Sequence, residues 1–337
     1  MPEPLLEIKN LKVHFPTDDG LVKAVDGVNL TLYPGQTLGV VGESGSGKSV
    51  TWLTVMGLVT KKEAIIEGEI LFRGQDLLKL PVDELRNIRG SKMGMVFQDP
   101  MSSLHPFFKV GDQIVEAIRA HQRMSKREAM DLAIDMLRRV GIPRPEERAR
   151  QYPHEFSGGM RQRAMIAMAL VLNPDVLIAD EPTTALDVTV QAQILDLIDR
   201  LEQEFNAAVV IITHDLGVVA EHADDILVMY AGKPVEFGER RDIYYGAHHP
   251  YTWGLLQSIA RLDEAERERL RPIRGLPPSL IFVPPGCAFH PRCPYAFDRC
   301  SKESPELIPE NGHHASACFL PLADKERIFK EEVLQRS

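Results

Sequence analysis

The segment Gly42-Glu43-Ser44-Gly45-Ser46-Gly47-Lys48-Ser49 carries the plainest chemistry in the chain. Its spacing is G-x-x-x-x-G-K-S, and it sits between the apolar run Thr37–Val41 and a helical stretch. In that context the pattern cradles a polyphosphate. Glycines let successive N–H groups turn inward as an anion nest, and the helix start adds the positive end of its dipole. The residues from Gly42 to Gly47 are expected to form the cradle. Lys48 is expected to reach the β- and γ-phosphates of ATP, and Ser49 to ligate Mg²⁺.

A second element fits the first. Val176-Leu-Ile-Ala-Asp180-Glu181 is an apolar run ending in two carboxylates. A strand sends alternate side chains to opposite faces, so adjacent carboxylates at its end can take different roles. Asp180 suits a Mg²⁺ ligand acting through the ion's water shell, and Glu181 suits a group that orients or deprotonates an attacking water. Two further residues end apolar runs: Gln98 after Met93–Phe97 and His214 after Val209–Thr213. Gln98 can ligate the metal or position water, and His214 can hydrogen-bond the γ-phosphate. Either alone reads as an ordinary polar strand terminus.

These residues require a covered sheet to position them. Val176–Ala179 and Val209–Thr213 are continuous apolar runs, as in central strands buried on both faces. Between them Val190, Ile194, Leu197 and Leu201 mark one buried helix face. Short alternating runs from Leu5 to Leu32 predict antiparallel strands, and Gln98–Pro174 reads as helical. Ile226–Tyr230 and Val235–Phe237, split by Gly232, predict a closing hairpin. The expected division is a nucleotide-binding domain over 1–264, with a helical subdomain over about 99–174, and a C-terminal appendage over 265–337.

The tail has its own texture. A charged stretch after residue 262 gives way to prolines, then to four cysteines, Cys287, Cys293, Cys300 and Cys318, spaced C-x₅-C-x₆-C-x₁₇-C. The first 286 residues have no cysteine. Four thiolates match structural zinc or an iron–sulfur cluster. The tight C-x₂₋₄-C pairs of zinc ribbons are missing, and wider spacing suits a larger object, with zinc and plain thiols as alternatives. The tail reads as held by its metal rather than by a hydrophobic core. His290, His313 and His314 read as surface histidines or substitute ligands.

Phe156-Ser157-Gly158-Gly159-Met160-Arg161-Gln162 places a serine and two glycines ahead of a helix, a second anion-binding helix start. With it, Leu5–Phe237 resembles the ATP-binding subunits of ABC transporters, whose usual signature is Leu-Ser-Gly-Gly-Gln. The resemblance implies the ABC-ATPase fold: an α/β P-loop NTPase with a RecA-like core sheet, an antiparallel β subdomain and a helical subdomain. It also implies a head-to-tail dimer in which Ser157, Gly158 and Gly159 serve the partner's ATP. Asp187 falls at the D-loop of the dimer seam, and Phe15 at the aromatic that stacks on adenine. Tyr230-Ala-Gly-Lys-Pro-Val-Glu, His249-Pro250-Tyr251-Thr252 and Gly286-Cys287-Ala-Phe-His-Pro-Arg-Cys293-Pro narrow the resemblance to the dipeptide/oligopeptide (nickel) importers, D-type subunit. That group implies a [4Fe–4S] cluster on the four cysteines. It also implies a second, non-identical ABC ATPase, two transmembrane permease subunits and an extracytoplasmic peptide-binding protein. The expected place is the cytoplasmic face of the inner membrane, with hydrolysis driving peptide import.

Bulk properties set the exclusions. The net charge of -9 over 337 residues argues against a nucleic-acid partner. The longest apolar runs fall well short of the ~20 residues of a membrane span, and no charged-then-apolar signal opens the chain. A soluble ABC-type ATPase acting on nucleic acid or ribosomes is the rival reading, but such proteins usually fuse two cassettes or carry coiled-coil insertions, and neither is seen.

Overall fold

The computed structural model describes residues 3–184, 186–258 and 273–334. The chain forms two compact units. One holds Leu32–Gln36 and Lys79–Ile212, and the other holds Pro4–Thr31, Thr37–Leu78 and the described residues from Thr213 onward.

In the first unit the strands Met93–Val96, Val176–Asp180 and Ala208–Thr213 run parallel in that order, pairing Met93 with Val176 and Asp180 with Ile212. Every residue in all three is buried, so they read as unbroken apolar runs. The helices Val110–His121, Lys126–Arg139 and Gly158–Leu170 fall where helical periodicity predicts them. Lys126–Arg139 starts from a reciprocal cap: Glu128 N–H donates to Ser125 Oγ at 3.2 Å, and Ser125 N–H donates to the Glu128 carboxylate at 2.9 Å. Val188–Phe205 buries Ile194, Leu195, Leu197, Ile198 and Leu201 along one face. Val190, expected on that stripe, is half-buried against the start of Gly158–Leu170. A Cβ on Gly159 would come within 2.9 Å of its Cγ1.

The second unit carries an antiparallel sheet in the order Gly20–Leu32, Leu6–Thr17, Ile65–Phe72, Gln75–Asp76. Thr37–Val41 runs parallel to Asp225–Tyr230, which turns through Ala231 (φ 48°) and Gly232 (φ 82°) into the antiparallel strand Lys233–Glu239. The expected hairpin is present but does not close the sheet. His314–Ser316 pairs with Lys233–Glu239, setting Glu236 opposite Ser316, and Ile308–Asn311 pairs with His314–Ser316. The tail also packs into an apolar cluster shared with the residues before it. Ile328, Phe329 and Val333 are buried with Ala247 and Trp253, flanked by Leu256, Tyr295 and Leu320. Apolar packing therefore holds the tail where composition pointed to metal alone. Its few apolar residues are spread among prolines and charges, so no periodicity announces them. The expected domain boundary near residue 264 lies outside the described residues.

Candidate functional site

The loop expected to cradle phosphate belongs to the second unit and is shaped by two glycines. A Cβ on Gly42 (φ 153°) would sit 2.2 Å from the Met229 carbonyl oxygen, and one on Gly47 (φ 98°) 2.2 Å from that of Ala24. No other residue fits either place. The loop leads into the helix Lys48–Val55, with Ser49 half-buried in its first turn and Ser44 and Gly45 exposed. Lys48 is buried and its Nζ donates to the carbonyls of Gly42 (2.6 Å) and Glu43 (3.0 Å), with Ser46 Oγ at 3.4 Å. Ser46 is pinned from both sides, since its N–H donates to Glu43 O and its carbonyl accepts from Gly232 N–H. Phe15 lies half-buried on Leu6–Thr17 in the same unit. His214, following Ala208–Thr213, is exposed.

Glu43 lies in the loop as expected and is tied to residues far outside it. Its N–H donates to Tyr251 Oη at 2.7 Å, and its carboxylate meets the guanidinium of Arg292 at 2.6 and 3.0 Å. Sequence reasoning missed both partners. Tyr251 and Arg292 lie 208 and 249 residues from Glu43, so no local spacing announces either.

The first unit supplies the carboxylates. Asp180, 7% exposed, ends the strand Val176–Asp180. Glu181 then turns the chain into the left-handed region (φ 46°), with its N–H donating to Ile212 O at 2.9 Å. Its Oε2 accepts from Gln98 Nε2 and from Thr184 Oγ1, each at 2.8 Å. Gln98, expected to ligate the metal or position water, thus touches the Glu181 carboxylate, a contact its spacing does not announce. Thr184 was missed, although a hydroxyl three residues on is a recognisable local donor. Ser157 caps the helix Gly158–Leu170, accepting from Met160 N–H at 3.3 Å, and Asp187 caps Val188–Phe205, accepting from Val190 N–H at 3.0 Å.

The four cysteines line one pocket together with Phe289, His290 and Tyr295. Burial pushes the Cys287 thiol up, that of Cys318 to about 11 and that of Cys293 to about 12. Among the described residues no three His, Cys, Asp or Glu side chains come close enough to hold a single metal ion. His314 corrects its reading as a surface residue. It is 3% exposed and its Nε2 lies 2.8 Å from the fully buried Glu236 carboxylate. Burial pushes the Glu236 pKa up, but His314 and the His248 amide more than reverse this, and the carboxyl stays below the usual range.

Comparison with known proteins adds a consistent picture. The family model "ABC transporter" matches residues 25–184, and "Oligopeptide/dipeptide transporter, C-terminal region" matches 235–300. The chain is 50% identical over 326 residues to the oligopeptide transport ATP-binding protein OppD of Salmonella typhimurium, covering 96% of each. It is 52% identical to the dipeptide transport ATP-binding protein DppD of Bacillus subtilis, covering 94% of this chain and 95% of that one. Among solved structures, the dimeric ATP-binding cassette MJ0796 bound to ADP and Pi matches with a TM-score of 0.63 at 30% identity, covering 70% of this chain and 99% of that one.

Proposed function

We propose that this chain, which belongs to the ABC transporter family and within it to the oligopeptide/dipeptide ATP-binding proteins, is the ATPase that energises peptide import. The observation that carries the residue assignment is the loop from Gly42 to Lys48, where Gly42 and Gly47 leave no room for a Cβ and the lysine is buried. Lys48 and the loop N–H groups bind the β- and γ-phosphates. Glu181, held by Gln98 and Thr184, orients the water and accepts its proton as the water oxygen attacks the γ-phosphorus and the bond to the β-bridging oxygen breaks. His214 steadies the γ-phosphate, and Phe15 stacks on adenine. Ser49, Asp180 and Gln98 would hold Mg²⁺, which supplies charge neutralisation on the phosphate oxygens.

The signature residues Ser157, Gly158 and Gly159, with Asp187 at the seam, serve the nucleotide of a second, non-identical ABC ATPase arranged head to tail. Two permease subunits and an extracytoplasmic peptide-binding protein complete the assembly, with this subunit peripheral at the cytoplasmic face. No helix among the described residues is long and apolar enough to cross a membrane. Peptides are favoured over nickel complexes as cargo because the named relatives are oligopeptide and dipeptide transport proteins.

Cys287, Cys293, Cys300 and Cys318 would hold a [4Fe–4S] cluster. What supports the reading is that all four cysteines line one pocket, the ligand count of such a cluster, with structural zinc as the alternative. Purified protein that is brown and absorbs near ~400 nm supports this. For the ATPase, Glu181→Gln should lower phosphate release by roughly 10² to 10⁴-fold while ATP binding persists. Full turnover in that variant would remove Glu181 from its role.

A further inference from the structure

Arg292 lies in the turn between Cys287 and Cys293, yet its side chain ends on the phosphate loop. Nη1 and Nη2 meet the two Glu43 oxygens at 2.6 and 3.0 Å, a bidentate fork that fixes orientation as well as distance. The remaining donors are also engaged. Nε reaches Arg274 O at 3.0 Å, Nη2 reaches Gly275 O at 3.2 Å, and Nη1 reaches Tyr230 Oη at 3.3 Å. The side chain is 6% exposed, against 26% for Glu43.

A second tether runs beside the first. The Glu43 N–H donates to Tyr251 Oη, and the Tyr251 ring packs 4.6 Å from Tyr230 and 5.4 Å from Phe289. Phe289 lines the four-cysteine pocket. Both the backbone and the side chain of Glu43 are therefore held by groups that lead back to that pocket. The turn carrying Arg292 is itself tied to the cysteines, with Cys287 N–H donating to Cys300 O at 2.8 Å and Cys293 N–H to His290 O at 3.3 Å.

We propose that Arg292 is a positioning residue for the phosphate loop, through which the geometry of the four-cysteine pocket sets the affinity for nucleoside triphosphate. The inference rests on the nucleotide-site reading above. The loop binds phosphate through backbone N–H groups whose directions depend on its shape, and Glu43 anchors the loop to the cysteine-bearing turn by charge. Loosening the cysteine-bearing turn moves the guanidinium, and the loop follows. Coupling of this kind is ordinarily a ~5- to 150-fold effect on affinity.

The test is calorimetric titration of the full-length protein with a non-hydrolysable ATP analogue, alongside thermal melts. Arg292→Gln should raise the Kd by about 5- to 100-fold. Glu43→Gln, at the more exposed partner, should do the same, and it keeps the test decisive if Arg292→Gln fails to fold. The double variant should bind no worse than the weaker single, because both remove one interaction. Arg292→Lys should restore binding only in part, since an ammonium cannot make the fork. Cys293→Ser should weaken binding in the parent and add less than about twofold in the Arg292→Gln background. Lys48→Ala is the control. If it abolishes binding while Arg292→Gln and Glu43→Gln stay within about twofold of the parent, or if their effects add, the inference is overturned and the nucleotide site stands. If Lys48→Ala binds like the parent, the nucleotide-site reading fails and this inference falls with it.

Discussion

Ser157 offers a perturbation in which stability and activity should rank two variants in opposite orders. Its Oγ accepts the Met160 N–H at 3.3 Å and so starts the helix Gly158–Leu170. Removing the hydroxyl in Ser157→Ala deletes that cap at a cost of about 1 kcal/mol, or roughly 2–4 °C in Tm for a chain of this size. Aspartate caps as well as serine, so Ser157→Asp should melt within about 1 °C of the parent. The chemistry runs the other way. The same residue is proposed to meet the γ-phosphate bound by the partner subunit, and there a carboxylate repels. At ~4 Å and an effective dielectric near 20, each pair of like charges costs about 4 kcal/mol, roughly a thousandfold. The stability order is therefore parent, Asp, then Ala, while the order of phosphate release by the assembled transporter is parent, Ala, then Asp. The subunit's own ATP affinity should stay unchanged in both variants, because the signature acts on the partner's nucleotide. A transporter carrying Ser157→Asp that hydrolyses at the parent rate would refute the reasoning. So would an activity order that simply follows the melting order.

Two further outcomes concern the tail. Phe329 is 2% exposed in the C-terminal core, and Phe329→Ala should cost about 3–5 kcal/mol in denaturant titration; a loss under about 1 kcal/mol would return the tail's stability to its cysteines alone. The second is a pH effect. Burial and the neighbouring His314 lower the His248 pKa below the ordinary histidine value, outweighing Glu236 and Glu310, with Lys325 acting in the same lowering sense. Above ~6.5 the folded and unfolded forms of His248 are both neutral and its contribution is fully present. As the pH falls below that, the unfolded chain takes up a proton that the folded one refuses, and stability drops. His248→Gln should flatten the slope of Tm between about pH 6.5 and 5; an unchanged slope would exclude His248 as its source.

What the sequence reveals is chemistry held in contiguous stretches. The loop Gly42–Ser49, the pair Asp180-Glu181 and the helix start at Ser157 are legible because each demands fixed residue types at fixed short spacing. The unbroken apolar strands were legible for a related reason, since burial on both faces leaves no polar position. What stayed hidden depends on the fold bringing distant residues together. Nothing local in Glu43 announces Arg292, and nothing in His314 announces Glu236, its neighbour across a strand pairing that sequence reasoning did not foresee. The tail's core was missed because Trp253 and Phe329 are 76 residues apart and neither lies on a periodic stripe long enough to read.

Glu181 shows how the local and the distant meet. Had the strand Val176–Asp180 simply continued, Glu181 would point to the face opposite Asp180, with only the pleat to aim it. The left-handed turn at φ 46° redirects it, at a cost of about 1–2 kcal/mol for a residue with a Cβ. Glycine would take that conformation without strain, so backbone preference cannot explain a glutamate there. Bonds on both backbone and side chain hold the strained turn: the N–H to Ile212 O, the carbonyl accepting from Thr184 N–H at 3.2 Å, and the donors from Gln98 and Thr184 converging on one carboxylate oxygen. Bonds to a charged acceptor contribute about 1.5–3 kcal/mol each, enough to offset the turn. A strained residue fixed on both backbone and side chain is what pre-organisation requires, because the carboxylate then faces the reaction without reorganising first. On the role proposed for Glu181, Gln98 and Thr184 act with it by holding its carboxylate, although neither donates a proton to the water or the phosphate.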